Sequence, residues 1–200
     1  SGSAALAYAL NPCLKVVGSV SHGFRAPGLD NLMSVSDNIN QGGIDIPNPN
    51  LQTERAIGYE IGLKGNYERL RFQTFFFWTN IDGLIVRDQV GQMLYNGDQI
   101  NLYQHTNTDA WMDGYELAAD YLITPRWSVY GNLTYIHGQN TTLNAPMSRI
   151  PPLQGTVGLR YRTCDMRSWF DFYVWGATKQ DRLSARDQDD SRIPDSGTPA

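Results

Sequence analysis

The chain contains no unbroken apolar run near the roughly 18 residues a membrane-crossing helix needs. Charge is sparse as well: 18% of the 200 residues are charged, and the formal net charge is −4. That balance argues against nucleic acid as a partner, since nucleic acid calls for a basic footprint. There are two cysteines, Cys13 and Cys164, in no CxxC or other metal pattern. The three histidines, His22, His105 and His137, are too scattered for metal-ligand spacing. The glycine-rich phosphate loop, the dinucleotide fingerprint, HExxH and the GxSxG elbow are all missing. The sequence therefore offers no nucleophile–base spacing, no catalytic residue is assigned, and no cofactor is expected. The acidic run DQDD at 187–190 lacks the glycine and distal glutamate of a calcium loop. Two sequons, at Asn132 and Asn140, are of a length met by chance, and the first falls within an expected strand.

Aromatics, by contrast, are plentiful at 12%, with eleven Tyr and five Trp. The dominant signal is period-2 alternation, the pattern of a sheet with one apolar face. In 54–65, Ile57, Tyr59, Ile61 and Leu63 share a face opposite Glu60 and Lys64. In 114–124, Tyr115, Leu117, Ala119 and Tyr121 oppose Glu116 and Asp120. In 153–162, Val157, Leu159 and Tyr161 oppose Arg160 and Arg162. About eight strands are expected, near 4–10, 14–24, 54–64, 69–87, 105–122, 127–138, 153–162 and 167–180, with no helix.

The connections alternate in length. Short turns fall at 11–13, 66–68, 124–126 and 163–166. Long loops fall at 26–53, 88–104, 139–152 and from 181 onward. In an up-and-down meander this puts every short turn on one edge and every long loop on the other, the pattern of outer-membrane barrels. Tyr67, Tyr121, Trp127, Tyr161 and Trp169 lie near short turns. Phe24, Trp78, Trp111, Tyr135 and Trp175 lie toward the long loops. Trp127 to Tyr135 is about 26 Å along a strand. At a tilt near 40° its height is about 20 Å, close to the apolar band of about 25 Å between aromatic girdles. Alternation alone also fits a soluble, lipocalin-like ligand-binding β-barrel with its apolar face inside. The small residues and isolated charges of the polar face favour the membrane barrel.

Particular segments sharpen this reading. FRAP (24–27), NPNL (48–51) and the Tyr59-Glu60-Ile61-Gly62 core of TERAIGYEIGLKG occur in the order that resembles TonB-dependent outer-membrane receptors. NIDGLIVRD (80–88), DGYELAADY (113–121), SRIPPLQGTVGLRY (148–161) and SRIPDSGTP (191–199) are similar to later barrel strands of that family. The resemblance implies an all-β, antiparallel up-and-down transmembrane β-barrel, here partial: about eight strands of a barrel of about 22. On that reading residues 1–200 are an internal barrel segment, with the plug domain and final strands absent. It further implies a receptor in the bacterial outer membrane that takes up a ferric siderophore, haem or cobalamin. Its expected partners are the TonB energy-transducing complex, a small nutrient ligand and outer-membrane lipid.

Ligand contacts are expected from the long loops: Arg25, Asp30 and Asn31 after the first long strand, and Tyr95, Tyr103 and His105 near the third loop. Tyrosine offers a rigid aromatic face with one polar tip. In haem receptors of the family a histidine between the FRAP and NPNL boxes is expected; this chain has none between Pro27 and Asn48.

Overall fold

A computed structural model describes residues 1–33, 43–95, 97–165, 167–188, 190, 192–194 and 196–198. Among them one antiparallel sheet dominates. Its main strands are β1 (Gly2–Asn11), β2 (Leu14–Arg25), β4 (Glu54–Asn66), β5 (Leu70–Tyr95), β6 (Asp98–Leu122), β7 (Trp127–Asn140), β9 (Gln154–Arg162) and β10 (Trp169–Ala177). They pair in that order, a meander in which each strand lies beside the next. Two short strands, β3 (Gly43–Ile46) and β8 (Ala145–Pro146), attach to β6 and β7. The sheet does not close, because β1 pairs only with β2 and β10 only with β9.

The register carries the alternation from strand to strand. One outer row reads Tyr8, Val16, Leu63, Thr74, Leu117 and Leu133. The next polar row reads Val17, Gly62, Phe75, Glu116, Thr134 and Gln154. The apolar face is left open: Leu6, Tyr59, Ile61 and Phe172 are among its strongly exposed side chains.

Aromatic bands bound the apolar face. Near the short turns, Trp127 and Tyr161 pack at 4.8 Å between ring centroids, and Tyr161 and Phe170 at 6.4 Å. At the other end Trp78 and Trp111 stack, and His137 tilts against Trp111 at 4.9 Å. There the outer row becomes Tyr59, Trp78, Asp113 and His137, so charge begins where the apolar band ends. Trp169 and Trp175 depart from the expected girdles: they pair with Arg162 and Thr156, on the polar face. β10 has aromatics on both faces, so periodicity could not assign them.

The expected loop at 88–104 is a second departure. β5 and β6 instead run on as a hairpin of 26 and 25 residues. The sequence carries Asn96-Gly97, the strongest short hairpin signal, between these strands; Asn96 is outside the described residues, and Gly97 has φ +97°. Beyond Asp82 and Ala110, β5 and β6 lose their outer neighbours β4 and β7. The hairpin therefore stands about 40 Å clear of the sheet. Two short helices also contradict the helix-free expectation: α1 (Leu29–Met33) and α2 (Ala185–Gln188). At one turn each they have no room for a 3.6-residue pattern. Ser184 begins α2 in capping-box fashion: its hydroxyl donates to Asp187 Oδ2 and accepts from the Asp187 amide. Within the acidic run, Asp187 is thus engaged in a cap and Asp190 is paired with Arg192; Asp189 is outside the described residues. Met166 in the last short turn, residues 34–42 of the first long loop, and Ser191, Asp195 and Pro199 of the final motif are likewise outside them.

Candidate functional site

The densest burial lies at the root of the long hairpin. Ile85, Tyr103, Ala110, Thr108, Asn140 and Glu54 are each at most 9% exposed. The root is a β-bulge: the β5–β6 register slips between Ile81 and Leu84, and Gly83 takes φ +68°. Polar side chains collar it. Asp109 Oδ1 accepts from the Gly83 amide at 3.0 Å, and Asn107 donates to the Gly83 carbonyl at 2.7 Å. Thr108 donates to the Leu84 carbonyl, and Asn140 donates to Thr108 Oγ1 at 2.8 Å. These bonds satisfy the backbone groups the bulge takes out of the ladder.

The first long loop straps this hairpin. β3 pairs in parallel with residues 101–104 of β6, along the edge β7 has vacated. Arg87 Nε donates to Asp45 of β3, and its guanidinium lies 3.7 Å from the Tyr103 ring centroid. NPNL follows: Asn48 donates to the His105 carbonyl at 2.9 Å and caps the Asn50 amide. Gln52 and Asn107 then exchange two hydrogen bonds. NPNL is thus the return arm of the strap, a geometric role that its turn-forming residues suit.

The sequence-predicted residues take different places in this frame. Arg25 closes the last β2–β4 rung opposite Glu54 and grips its carboxylate with two bonds of 2.5 and 2.6 Å. Asn31 turns back to accept from the Gly28 amide. Asp30, on the same helix, and Asp45 are carboxylates whose charge favours the protonated form of His105, whereas Arg87 and Arg186 disfavour it. Burial holds the His105 imidazole below its ordinary range, and the two arginines add to this against the pull of the carboxylates. Tyr103 is two residues from His105 on the same strand face, but it is packed under Arg87. Tyr95 lies apart, at the hairpin tip opposite Asp98. The structure thus places Tyr103 and His105 on the strapped hairpin, with Asp30 within electrostatic reach of His105, and leaves Arg25 at its root and Tyr95 at its end. Sequence reading missed Glu54, Asp45, Arg87 and Arg186. The signal available for them was their charge alone, which does not name partners.

The polar face carries a second feature. A hollow of about 750 Å³ opens near the short turns, lined by Lys64, Asn66, Arg71, Gln73, Asp120 and Asn132. Beside it Asp171 accepts from Arg160 at 2.6 Å and from the Tyr130 hydroxyl at 2.9 Å. Arg160 and Asp171 on this face are thus paired, while Lys64, Arg71 and Asp120 line the hollow, as a water-lined interior allows. Among the described residues no cluster of three metal-ligating side chains occurs, and no helix is long and apolar enough to cross a membrane.

This wall matches known architecture. The copper transporter OprC superposes with a TM-score of 0.74 at 21% identity, covering 91% of this chain and 26% of that one. The Serratia marcescens hemophore receptor HasR, solved with its hemophore HasA and heme, gives 0.70 at 19%, covering 88% and 31%. The siderophore receptor PirA from Pseudomonas aeruginosa gives 0.62 at 17%, covering 87% and 30%. At these identities the likeness is one of fold, and this chain spans less than a third of each of those proteins. No curated protein matches it. The family model described as "TonB dependent receptor-like, beta-barrel" matches residues 1–198, and the chain belongs to that family of outer-membrane β-barrels.

Proposed function

We propose that residues 1–200 form part of the barrel wall of a receptor in the bacterial outer membrane that takes up a scarce nutrient. A ferric siderophore, haem or cobalamin is the class of cargo, and the TonB complex supplies the energy through a plug domain elsewhere in the polypeptide. The observation that carries this reading is the sidedness of the sheet. A continuous apolar face, bounded by aromatic bands, backs onto a polar face with paired charges and a hollow. Lipid suits the first face and a water-lined lumen the second. The strapped hairpin rises from the edge opposite the short turns, on the extracellular side. Arg25, Asp30, Asn31, Tyr95, Tyr103 and His105 serve there as ligand-facing candidates. Capture and transport require no covalent step, so no residue is given a catalytic role.

The test is nutrient-limited growth and uptake by cells carrying the full-length receptor or a deletion. The panel contains ferric siderophores, haem, cobalamin and copper. Receptor-dependent uptake of one of the first three is expected; indifference to the deletion across the panel would reject the reading.

A further inference from the structure

FRAP and the first residue of β4 meet in one contact that strand termination does not require. Arg25 Nε and Nη2 donate to the two carboxylate oxygens of Glu54, a fork-on-fork arrangement. The partners differ in environment: the Arg25 side chain is 63% exposed and that of Glu54 is 11% exposed. Glu54 Oε1 also accepts from the Ile85 amide at 2.6 Å, at the root of the hairpin. The carboxylate is thus anchored from behind, while the guanidinium reaches it from the open side.

From this geometry we propose that Arg25 is a carboxylate-binding residue whose fork Glu54 occupies as a built-in competitor. The chemical class it takes is a small carboxylate anion. The reasons are physical. A guanidinium fork already set for one carboxylate is set for another of the same shape. The exposed partner is the one free to move. Glu54 retains the Ile85 amide as a donor when Arg25 leaves, in a bond no longer braced from the open side, so the exchange does not strand a buried carboxylate without a donor. Exchange also has a structural consequence. Glu54 joins the end of β2 to the first ladder residues beyond the Gly83 bulge, so loss of Arg25 loosens the hairpin root. Occupancy at Arg25 is in this way coupled to the stance of the hairpin.

The inference rests on the receptor reading, since it treats this end of the barrel as the ligand-facing one. Its test uses the full-length receptor in detergent and tricarballylate, a tricarboxylate without the metal-chelating hydroxyl of citrate. Binding is measured by calorimetry at fixed ionic strength, and hydrogen exchange of the segment around Ile85 is followed in parallel. Wild type is expected to bind weakly and to exchange faster at Ile85 as tricarballylate is added. Glu54→Gln removes the competing charge and should bind several-fold more tightly. Arg25→Gln should lose both binding and the exchange response. Should Glu54→Gln fail to fold, Glu54→Asp, which withdraws the carboxylate by one methylene, is read the same way. Equal affinity in wild type and the Glu54 variant, or binding that survives Arg25→Gln, overturns the proposal, as does absence of binding in all three. Nutrient uptake by cells separates the two readings. Uptake with affinity indifferent to Glu54 refutes the competitor alone, whereas competition without uptake of any nutrient refutes the receptor reading alone.

Discussion

Glu116 and Leu117 are neighbours on β6 and lie on opposite faces of the sheet. Glu116 pairs with Phe75 and Thr134 in a polar row, and Leu117 with Thr74 and Leu133 in an apolar one. If the apolar face meets lipid, arginine at Leu117 lies near the bilayer midplane and costs about 2–4 kcal/mol. The same holds for Leu159 on β9. Leu117→Arg and Leu159→Arg in the full-length receptor are therefore expected to impair assembly, read as loss of heat-modifiable migration. Glu116→Arg should assemble and alter only uptake. Normal assembly of the leucine variants with failure of Glu116→Arg would mean that the inside and outside of the wall are exchanged.

Phe77 lies against Gly114, its direct partner on β6. A Cβ at Gly114 would collide with the Phe77 ring and approach the Tyr135 carbonyl oxygen at 2.6 Å. The same relation joins Phe75 to Gly62 and Tyr130 to Gly158. Aromatics over glycines let bulky rings lie flat on the polar face. Gly114→Val should destabilise by about 1–3 kcal/mol through overpacking. Pairing Gly114→Ala with Phe77→Ala should cost less than the sum of the single changes. Urea unfolding in detergent micelles checks both, and strict additivity would show that ring and glycine are not coupled.

These pairs show what alternation reveals and what it conceals. Tyr59, Ile61 and Leu63 were legible as one face, because side-chain direction repeats every two residues and the register transmits it. The run Phe75-Phe76-Phe77 was not, because its inward rings are accommodated by glycines on other strands. The hairpin beyond Asp82 was written in Asn96-Gly97, but polar residues on both faces hid the extended strands. The strap was out of reach for another reason. Asp45–Arg87 and Asn48–His105 join residues 42 and 57 positions apart, and no local pattern states such a pairing. Tyr103 and His105, expected near a long loop, lie within β6 instead, and the groups that hold them were not foreseen.

His105 gives the strapped hairpin a pH dependence of defined sign. Burial lowers its affinity for a proton relative to the ordinary value of 6.5. The unfolded segment then binds more protons than the folded one as pH falls below that value. The contribution is present above about 6.5 and is lost as pH falls through the folded value. Limited proteolysis of the Asn48 arm and the hairpin should therefore accelerate between pH 7.5 and acidic pH. In His105→Gln the step attributable to this group should vanish. Faster cleavage at the higher pH would show that the carboxylates Asp30 and Asp45, not burial, govern this histidine.

The two cysteines report which edge faces the periplasm. Cys13 lies in the β1–β2 turn, where its amide donates to Asn11 and its carbonyl accepts from Asn66. Cys164 lies in the β9–β10 turn, and both are free. β2 and β9 are separated by β4, β5, β6 and β7. At about 4.8 Å per strand this is roughly 24 Å, far beyond the reach of a disulfide at about 7 Å between Cα atoms. Both turns share the edge opposite the hairpin. An impermeant maleimide added to intact cells should therefore label neither cysteine, and permeabilisation should expose both. Leu94, 71% exposed near the hairpin tip, supplies the positive control: Leu94→Cys should be labelled from outside. Labelling of Cys13 or Cys164 in intact cells, with Leu94→Cys silent, would invert the wall in the membrane and move the strapped hairpin, with its ligand-facing candidates, to the periplasmic side.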